Sequence, residues 1–309
     1  MAKTRLVAAI AVALALSAAA CGDSSKSAKT TAEPGFPVTV RAANGSVRIA
    51  RRPKRIVSIS ATATEDLFAI GAGPQVKAVD DYSKYPPSAP RTKLSGYTPN
   101  AEAIAGYRPD LVVTAGDANR VVASLRKLGI AVLLHPPAAD LDEAYAQLEA
   151  LGEATGHSDR ARAVVEHMRT RVAEITHAAA SDGGTPLSVY HELDSTYYSA
   201  TSKTFIGRVY RALGLRNIAD KASKGGPYPK LSGEYVVRSD PQLIVLADTL
   251  CCKQSLATVR KRAGFNGIAA VRNGDVLAIK DDLASHWGPR IVDFLALVAK
   301  RVEAMRARG

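Results

Sequence analysis

The sequence predicts an α/β protein with two lobes, each built on a mainly parallel sheet, joined by one long α-helix. Short β-branched segments alternate with helical patterns in the first half of the chain, and the same alternation returns in the second half. Between the halves, residues 158–179 contain no Gly or Pro and repeat apolar residues at helical spacing. These observations divide the chain into a lobe, a bridging helix and a second lobe.

The first lobe is expected over residues 37–157. It opens with a hairpin, because β-branched segments flank Asn44-Gly45, a dipeptide typical of tight hairpin turns. The box from Thr62 to Glu65 predicts the start of a helix over 66–70. A second helix is expected over 121–128. Strands are expected at the apolar, β-branched runs 55–59, 76–79, 111–114 and 131–134.

The bridging helix is expected over residues 158–180. At 1.5 Å per residue, the stretch 158–179 would be about 33 Å long as a helix. The second lobe, residues 181–309, repeats the strand and helix pattern, with strands and helices expected at 187–190, 205–213, 243–246, 276–279 and 289–305. The expected fold class is therefore α/β, with two Rossmann-like lobes of mainly parallel sheet joined by a single long bridging helix.

The first residues predict export. Lys3 and Arg5 precede an apolar run, 6–16, which is followed by small residues and Cys21. This order is typical of a secretory signal over residues 1–20, and the run is too short to span a bilayer, which takes about 20 residues. A cysteine at this point predicts a lipoprotein acylated at Cys21, although an ordinary signal with an unrelated cysteine is the alternative. Residues 21–36 are small and polar, which predicts a flexible tether.

Composition excludes several classes of protein. The 309 residues are 47% hydrophobic, so the chain can form real cores rather than remaining disordered. The formal charge is +12, and removing the two basic residues of the signal leaves about +10. Export argues against nucleic acid as the partner. Most basic residues are scattered, with short clusters such as 51–55, so we expect solvated surfaces with some attraction to anionic lipid or ligand.

The spacing of the cysteines and the absence of catalytic motifs argue against an enzyme. Past Cys21 the chain has only the adjacent Cys251 and Cys252, which either form a vicinal disulfide or remain two buried thiols. G-x-S-x-G and P-loop motifs are absent, and Ser195 stands where the zinc motif beginning at His191 needs its second histidine. We expect no catalytic residue, no metal site and no cofactor.

Two glutamates stand at matching positions in the two halves. Glu102 lies seven residues before Pro109, which opens an apolar strand segment, and Glu234 lies seven residues before Pro241, which opens another. Each follows a residue that favours a helix start, so each lobe places an acid at a helix N-terminus, where it suits the helix dipole. The pattern is consistent with two roles for these glutamates: they are either only N-terminal helix charges or functional residues.

Several segments together resemble the bacterial solute-binding proteins of ABC importers for cobalamin, ferric siderophores and haem. Their order and spacing carry the resemblance, which covers about 55–302. The segments are 55–60 with Thr64-Glu65, 81–86, 96–102 with 108–112, 228–234 and 287–290.

The resemblance implies a transport protein that is not an enzyme. A metal-chelate ligand, cobalamin or a ferric siderophore, would lie in the cleft between the lobes and pass to a membrane permease; haem is the alternative ligand. A surface sensor or scaffold that works without a permease is a further alternative. The resemblance also implies a monomer, exported and held by its lipid on the outer face of the cytoplasmic membrane.

The resemblance assigns roles to individual residues. Glu102 and Glu234 match the pair that docks on the permease. Tyr82, Tyr97 and Tyr228 fall at aromatic positions of the cobalamin binder, two of which hold tryptophan in that relative. Phenols also ligate ferric iron and haem, so the ligand stays open. Further ligand-binding candidates are Asp282, His286, Trp287 and Arg290, with Tyr190 and Glu192 beside them. Arg290 could bind an anionic ligand group or form a salt bridge with an acid such as Asp282.

Overall fold

A computed structural model describes residues 35–181, 185–222 and 226–308. The predicted signal peptide, most of the tether and Cys21 lie outside these ranges. Within the described part of the chain, no helix combines the length and the apolar character needed to cross a bilayer. The fold consists of a small hairpin and two four-stranded parallel sheets, with helices packed around them.

The hairpin forms where the Asn-Gly dipeptide predicts it. Strands β1 (Val38–Ala42) and β2 (Gly45–Ile49) pair antiparallel, with Ala42 opposite Gly45. The Asn44 side chain also ties the hairpin to the first sheet. Its amide nitrogen donates to the Val132 carbonyl at 2.9 Å, and its carbonyl oxygen accepts from the Leu134 amide at 3.1 Å. The turn residue therefore fixes the position of the hairpin as well as its shape.

The first sheet has the strand order β4-β3-β5-β6, and all of its pairs are parallel. Its central strands are buried along their whole length, as expected for a sheet covered by helices on both faces. The predicted strand positions are confirmed, with the bounds β3 Ile56–Ile59, β4 Val76–Val79, β5 Leu111–Thr114 and β6 Ala131–Leu134.

The second sheet has the order β10-β9-β7-β8 and is also entirely parallel. Three of its strands were predicted, and the two-residue β8 was not. The bounds are β7 Ser188–Glu192, β8 Arg216–Asn217, β9 Leu243–Leu246 and β10 Val276–Ala278.

Eleven α-helices lie in the described ranges. Many begin at a polar N-cap whose side chain accepts an amide hydrogen bond from the first turn, as Asp140 does from Glu143 at 3.0 Å. Their bounds are α1 Ala61–Ala69, α2 Ala101–Ala105, α3 Val121–Lys127, α4 Leu141–Thr155, α5 Ser158–Ser181, α6 Phe205–Ala212, α7 Gly233–Ser239, α8 Leu256–Arg260, α9 Ala269–Asn273, α10 Asp281–Ser285 and α11 Ile291–Arg306.

The predicted capping box of the first helix is wrong. Helix α1 begins at Ala61 because Ser60 is its N-cap and accepts a hydrogen bond from the Ala63 amide at 3.3 Å. Glu65 is consequently a buried residue inside the helix rather than a capping residue at its start. This displacement moves its carboxylate to the side of the first lobe that meets the second.

The bridging helix α5 is packed on both sides. It starts at Ser158, as predicted, and packs against α4, which was not predicted, and against α11. The main hydrophobic core runs through all three helices and joins buried residues of both sheets, from Ile56 in β3 to Val245 in β9. The two lobes therefore share one hydrophobic core, and α5 is not an isolated helix between two separate cores.

The contact between α4 and α5 predicts a position that tolerates no side chain. A Cβ atom added at Gly152 would lie 2.3 Å from the Cβ of Ala161. Alanine normally favours a helix over glycine by about 1 kcal/mol, but overpacking a core costs typically 1–3 kcal/mol. We expect Gly152→Ala to lower the free energy of unfolding by about 2 kcal/mol in urea denaturation. Gly116→Ala, where no atom lies within 4 Å of the new Cβ, is the control; equal stability of both variants would contradict the prediction.

Candidate functional site

Exposed apolar side chains collect in the loops that follow the strands. Because all strands of a parallel sheet end at one edge, the loops after them lie together. Eight large hydrophobic side chains are exposed in the described part of the chain, and only Leu128 and Leu297 lie elsewhere. The other six follow the carboxyl ends of strands in the two lobes: Tyr82, Tyr85, Tyr97, Tyr198, Tyr228 and Leu250.

Two of the predicted tyrosines meet in the first lobe. The chain after β4 makes an excursion that returns to pair Leu94 with Asp80. It thereby brings the Tyr82 and Tyr97 rings together edge to face, with centroids 4.9 Å apart. Both rings remain largely exposed, at 55% and 71%. They present a ready aromatic surface that nothing in the described chain covers.

Tyr228 lies on the second lobe, in the loop that follows β8. The same loop pairs Lys230 with Tyr198, and the Lys230 ammonium lies 5.8 Å from the centre of the Tyr198 ring. Partial burial raises the pKa of the Tyr228 phenol, so it remains a neutral hydrogen-bonding group at physiological pH. The structure thus adds Tyr198 to the predicted Tyr228.

The two lobes meet through a buried ion pair between Glu65 and Arg290. Arg290 donates from Nε to Glu65 Oε2 at 2.9 Å and from its backbone amide to Oε1 at 3.1 Å. The guanidinium also bonds Asp282 at 3.1 Å and stacks 3.9 Å from the centre of the Tyr85 ring. The predicted salt bridge with Asp282 is present, while Glu65, 225 residues away in the chain, was missed. This pair shows that the carboxyl-end sides of the two lobes face each other.

Charges at this contact shift the pKa of the first-lobe acids in opposite directions. Burial favours the protonated form of Glu65, but His286 and Arg290 outweigh it and lower its pKa. His286 Nδ1 lies 3.7 Å from Glu65 Oε2. The neighbouring Asp66 has no such cation, so burial and then the Glu65 charge raise its pKa well above the ordinary value. Burial and the neighbouring charge therefore both favour the protonated form of Asp66.

Gly288 and Trp287 close this contact. A Cβ at Gly288 would lie 3.0 Å from Asp66 Oδ1 and 3.2 Å from Glu65 Oε1, so a larger residue would press on both acids. The indole nitrogen of Trp287 donates to Gln147 of α4 at 2.9 Å, and the ring packs against the shared core. The structure therefore gives Trp287 a role in joining the lobes, and its contact with ligand stays a prediction.

The second lobe contains a matching arginine and carboxylate cluster. Arg262 bonds both oxygens of the buried Glu192, at 2.5 and 2.6 Å, and its guanidinium lies over Tyr197 and Phe265. The Tyr190 hydroxyl donates to Glu192 at 3.0 Å. Tyr190 and Glu192 are fully buried, so neither offers a surface to a ligand, contrary to expectation. Arg262 was not predicted, since it lies just after the short helix α8, where the sequence gives no local signal of the pairing.

The adjacent cysteines form a disulfide, which is the first of the two alternatives that the sequence left open. Cys251 is exposed, and Cys252 is half-buried, in the loop after β9. Asp281 of α10 holds this loop by accepting the Leu250 amide at 2.8 Å and the Cys251 amide at 2.9 Å. The loop is thereby fixed to the helix that precedes His286.

The two matching glutamates both lie exposed in first turns of short helices, one on each lobe. Glu102 is in α2, capped by Asn100, which accepts from the Ala103 amide at 2.8 Å. Glu234 is in α7, capped by Ser232, which accepts from the Tyr235 amide at 3.1 Å. The predicted position at helix N-termini is confirmed, and the docking role stays a prediction.

Asp248 predicts a measurable pH dependence of stability. Burial, and next the Glu192 charge, raise its pKa from 3.8 to about 7. The folded chain thus holds this proton more tightly than the unfolded chain does, so its contribution is complete below pH 4 and is lost as the pH rises to 7. We expect Asp248→Asn, which mimics the protonated acid, to flatten the fall in unfolding free energy between about pH 4 and pH 7. Asp142→Asn, an exposed partner of Arg169, is the control; unchanged slopes in both variants would contradict the assignment.

Comparison with known proteins agrees with this geometry. The periplasmic binding protein family matches residues 56–283. A cobalamin-binding protein of Halobacterium salinarum is 33% identical over 274 residues, covering 85% of this chain and 73% of that protein. An uncharacterized ABC transporter substrate-binding lipoprotein of Bacillus subtilis, YvrC, is 29% identical over 276 residues, 86% of each chain.

A solved structure shares the fold. The periplasmic vitamin B12-binding protein BtuF of Vibrio cholerae aligns with a TM-score of 0.69 at 26% identity, over 82% of this chain and 98% of that one. The resemblance carried by the sequence segments and the expected fold class are confirmed. The expectation of a binding protein rather than an enzyme is also confirmed, since the matched family consists of transport components. The chain belongs to the periplasmic binding protein family.

Proposed function

We propose that this chain is the lipid-anchored substrate-binding subunit of an ABC importer and that its interlobe cleft captures a cobalamin-type corrinoid. The observation that carries the proposal is the concentration of exposed aromatic and apolar side chains on the two facing sheet edges. A soluble protein rarely exposes contiguous apolar surface without a partner for it. Clefts between lobes are also the usual place for a small-molecule site.

The tyrosines suit a flat macrocycle that carries polar side groups. Their ring faces can pack on an apolar plane, and their hydroxyls can hydrogen-bond amides at its margin. The corrin ring of cobalamin combines these two properties. Tyr82 and Tyr97 would supply one wall and Tyr198 with Tyr228 the other, because the pairs lie on different lobes.

The charge at the lobe contact favours a ligand without an essential anionic group. Arg290 is bonded to Glu65 and Asp282, and Arg262 is bonded to Glu192. Both guanidiniums are therefore neutralised by buried carboxylates and are poor partners for a ligand anion. Haem, with its two propionates, fits this arrangement less well than a corrinoid does. The name of the Halobacterium relative points to the same ligand.

The anchor and the delivery step are supported by separate features. Cys21 follows a secretory signal in the sequence, and the Bacillus relative is named a lipoprotein. More than one acyl chain at this cysteine would hold the protein stably on the membrane. Glu102 and Glu234 present one exposed acid per lobe, an arrangement that two basic sites on a permease could recognise together.

The ligand assignment predicts a binding preference. We expect cobalamin at 100 times its Kd to stabilise the purified protein by roughly 2.7 kcal/mol in a thermal-shift assay. Tyr82→Ala with Tyr97→Ala should weaken binding about tenfold or more, because two aromatic contacts are lost. Binding can be measured by the quenching of the fluorescence of the single tryptophan, Trp287, as cobalamin is added. Leu128→Ala is the control, since this exposed residue lies outside the cleft loops. Stabilisation by haemin or a ferric siderophore and not by cobalamin would overturn the assignment.

If Glu102 and Glu234 dock on the permease, their substitution should affect import of the ligand without affecting its binding. We expect Glu102→Lys with Glu234→Lys to abolish cobalamin import in cells that carry the permease, because both contacts become repulsive. Affinity measured on the purified variant should be unchanged, since both residues are exposed at helix starts. Glu149→Lys with Glu303→Lys reverses one exposed acid on α4 and one on α11 and should import normally. Normal import by the first variant, or lost affinity, would contradict the role.

A further inference from the structure

Positive charge is concentrated on the edge of the first sheet that lies opposite the cleft loops. The strands of this sheet start level with one another: Ile56 lies beside Leu111 and Val76, and Leu111 lies beside Ala131. The segments that lead into the four strands therefore share one edge. Because the sheet is parallel, this amino-terminal edge faces away from the tyrosine-bearing loops.

The five residues before each strand of this sheet hold seven basic residues and one acid. All seven basic residues are exposed, and together they are named the basic edge: Arg51, Arg52, Lys54, Arg55, Arg108, Arg126 and Lys127. The acid, Asp110, accepts the backbone amides of Lys54 and Arg55 at 2.8 and 3.0 Å. The formal charge of these segments is therefore 7 − 1 = +6.

Backbone carbonyls hold part of the basic edge in place. Arg55 donates to the Tyr107 and Arg108 carbonyls, at 2.6 and 3.0 Å. Arg126 donates to the Asn44 carbonyl at 3.1 Å, and Arg52 donates to the Thr155 carbonyl at 3.1 Å. The acceptors of Arg55 and Arg126 are neutral carbonyls, so these bonds orient the two guanidiniums without cancelling their charge.

The same edge of the second lobe is nearly neutral. In the described part of the segments before its four strands, three arginines are accompanied by two aspartates: Arg211, Arg238, Arg272, Asp240 and Asp275. The fold itself therefore does not require a basic edge. The charge belongs to the first lobe, which is also where the chain emerges from the predicted tether.

Two further features lie on the basic edge. Leu128, 58% exposed, follows Arg126 and Lys127 directly. The start of the described chain is also here, because a Cβ at Gly156 would lie 3.3 Å from the Phe36 ring and 3.2 Å from Arg52 Cδ. In the sequence, 13 residues separate Cys21 from Gly35, and a chain of that length can reach about 45 Å at most.

We propose that the basic edge rests on anionic phospholipid headgroups, with Leu128 at the interface and the cleft opening away from the bilayer. This inference rests on the lipid anchor of the proposed function. Positive charge, an exposed leucine and the attachment point of a short tether all occur on one side of the first lobe. An anionic membrane surface is the partner that matches all three. The anchored protein would thus wait with its ligand site facing solvent, and it would turn over to bring Glu102 and Glu234, which lie on the cleft side, to a permease.

Vesicle sedimentation tests the proposal on the mature chain carrying Cys21→Ser, so that no acyl chain contributes. We expect binding to phosphatidylcholine vesicles containing phosphatidylglycerol, little binding to pure phosphatidylcholine, and a steep loss with salt. Each basic residue near an anionic surface contributes about fivefold, so Arg51→Gln, Arg108→Gln and Lys127→Gln together should weaken binding roughly 100-fold. Arg211→Gln, Lys261→Gln and Lys300→Gln remove the same charge from exposed sites elsewhere and should have a much smaller effect.

A fluorescence measurement reports the orientation. Leu128→Trp and Leu297→Trp place an added indole at the two exposed leucines, with Trp287 as a common background. Lipids with a spin label near the headgroup should quench the indole at 128 and not the one at 297. Equal quenching, equal loss in the two triple variants, or binding to a soluble anionic polymer but not to vesicles would overturn the proposal. Titration of the same samples with cobalamin measures ligand binding, so the proposed ligand function is tested independently of binding to the membrane.

Discussion

The ion pair between Glu65 and Arg290 is the constraint on which the arrangement of the lobes depends. Removing one partner from a buried pair typically costs 3–5 kcal/mol, because the other charge is left without compensation. Glu65 is 2% exposed and belongs to the first lobe, whereas Arg290 opens the last helix of the chain. The ion pair between Glu65 and Arg290 can form only at one distance between the carboxyl-end edges of the two sheets. Gly288, Asp282 and Tyr85 are positioned around it.

That constraint also explains the character of the cleft. The arginines near the lobe contact neutralise carboxylates of the protein itself, so the exposed side chains of the cleft loops are mainly phenol rings and aliphatic groups. The shared core behind α4, α5 and α11 resists large changes of the angle between the lobes. A site of this kind recognises shape and stacking more than charge. Glu102 and Glu234, one on each lobe, would then keep a nearly constant spacing.

The sequence was sufficient to predict the elements that carry a local pattern. β-branched runs located three strands of the second sheet and all four of the first, and the absence of Gly and Pro located α5. Long-range pairing has no local signature, so Glu65 was assigned to a capping box and its partner 225 residues later was missed. Tyr85 and Tyr198 were missed for a related reason, since their exposure depends on how the loops fold. Their position in loops after predicted strands was the signal available.

The late position of Arg290 in the chain has a consequence for biogenesis. As the chain is made from its amino terminus, the residues of α1 and the first sheet are synthesised long before residue 290. Until then Glu65 would have to be buried without its cation, which opposes compaction of the first lobe. The core shared with α11 is also incomplete. The first lobe therefore gains this ion pair, and its part of the shared core, only after the last helix of the chain has been made.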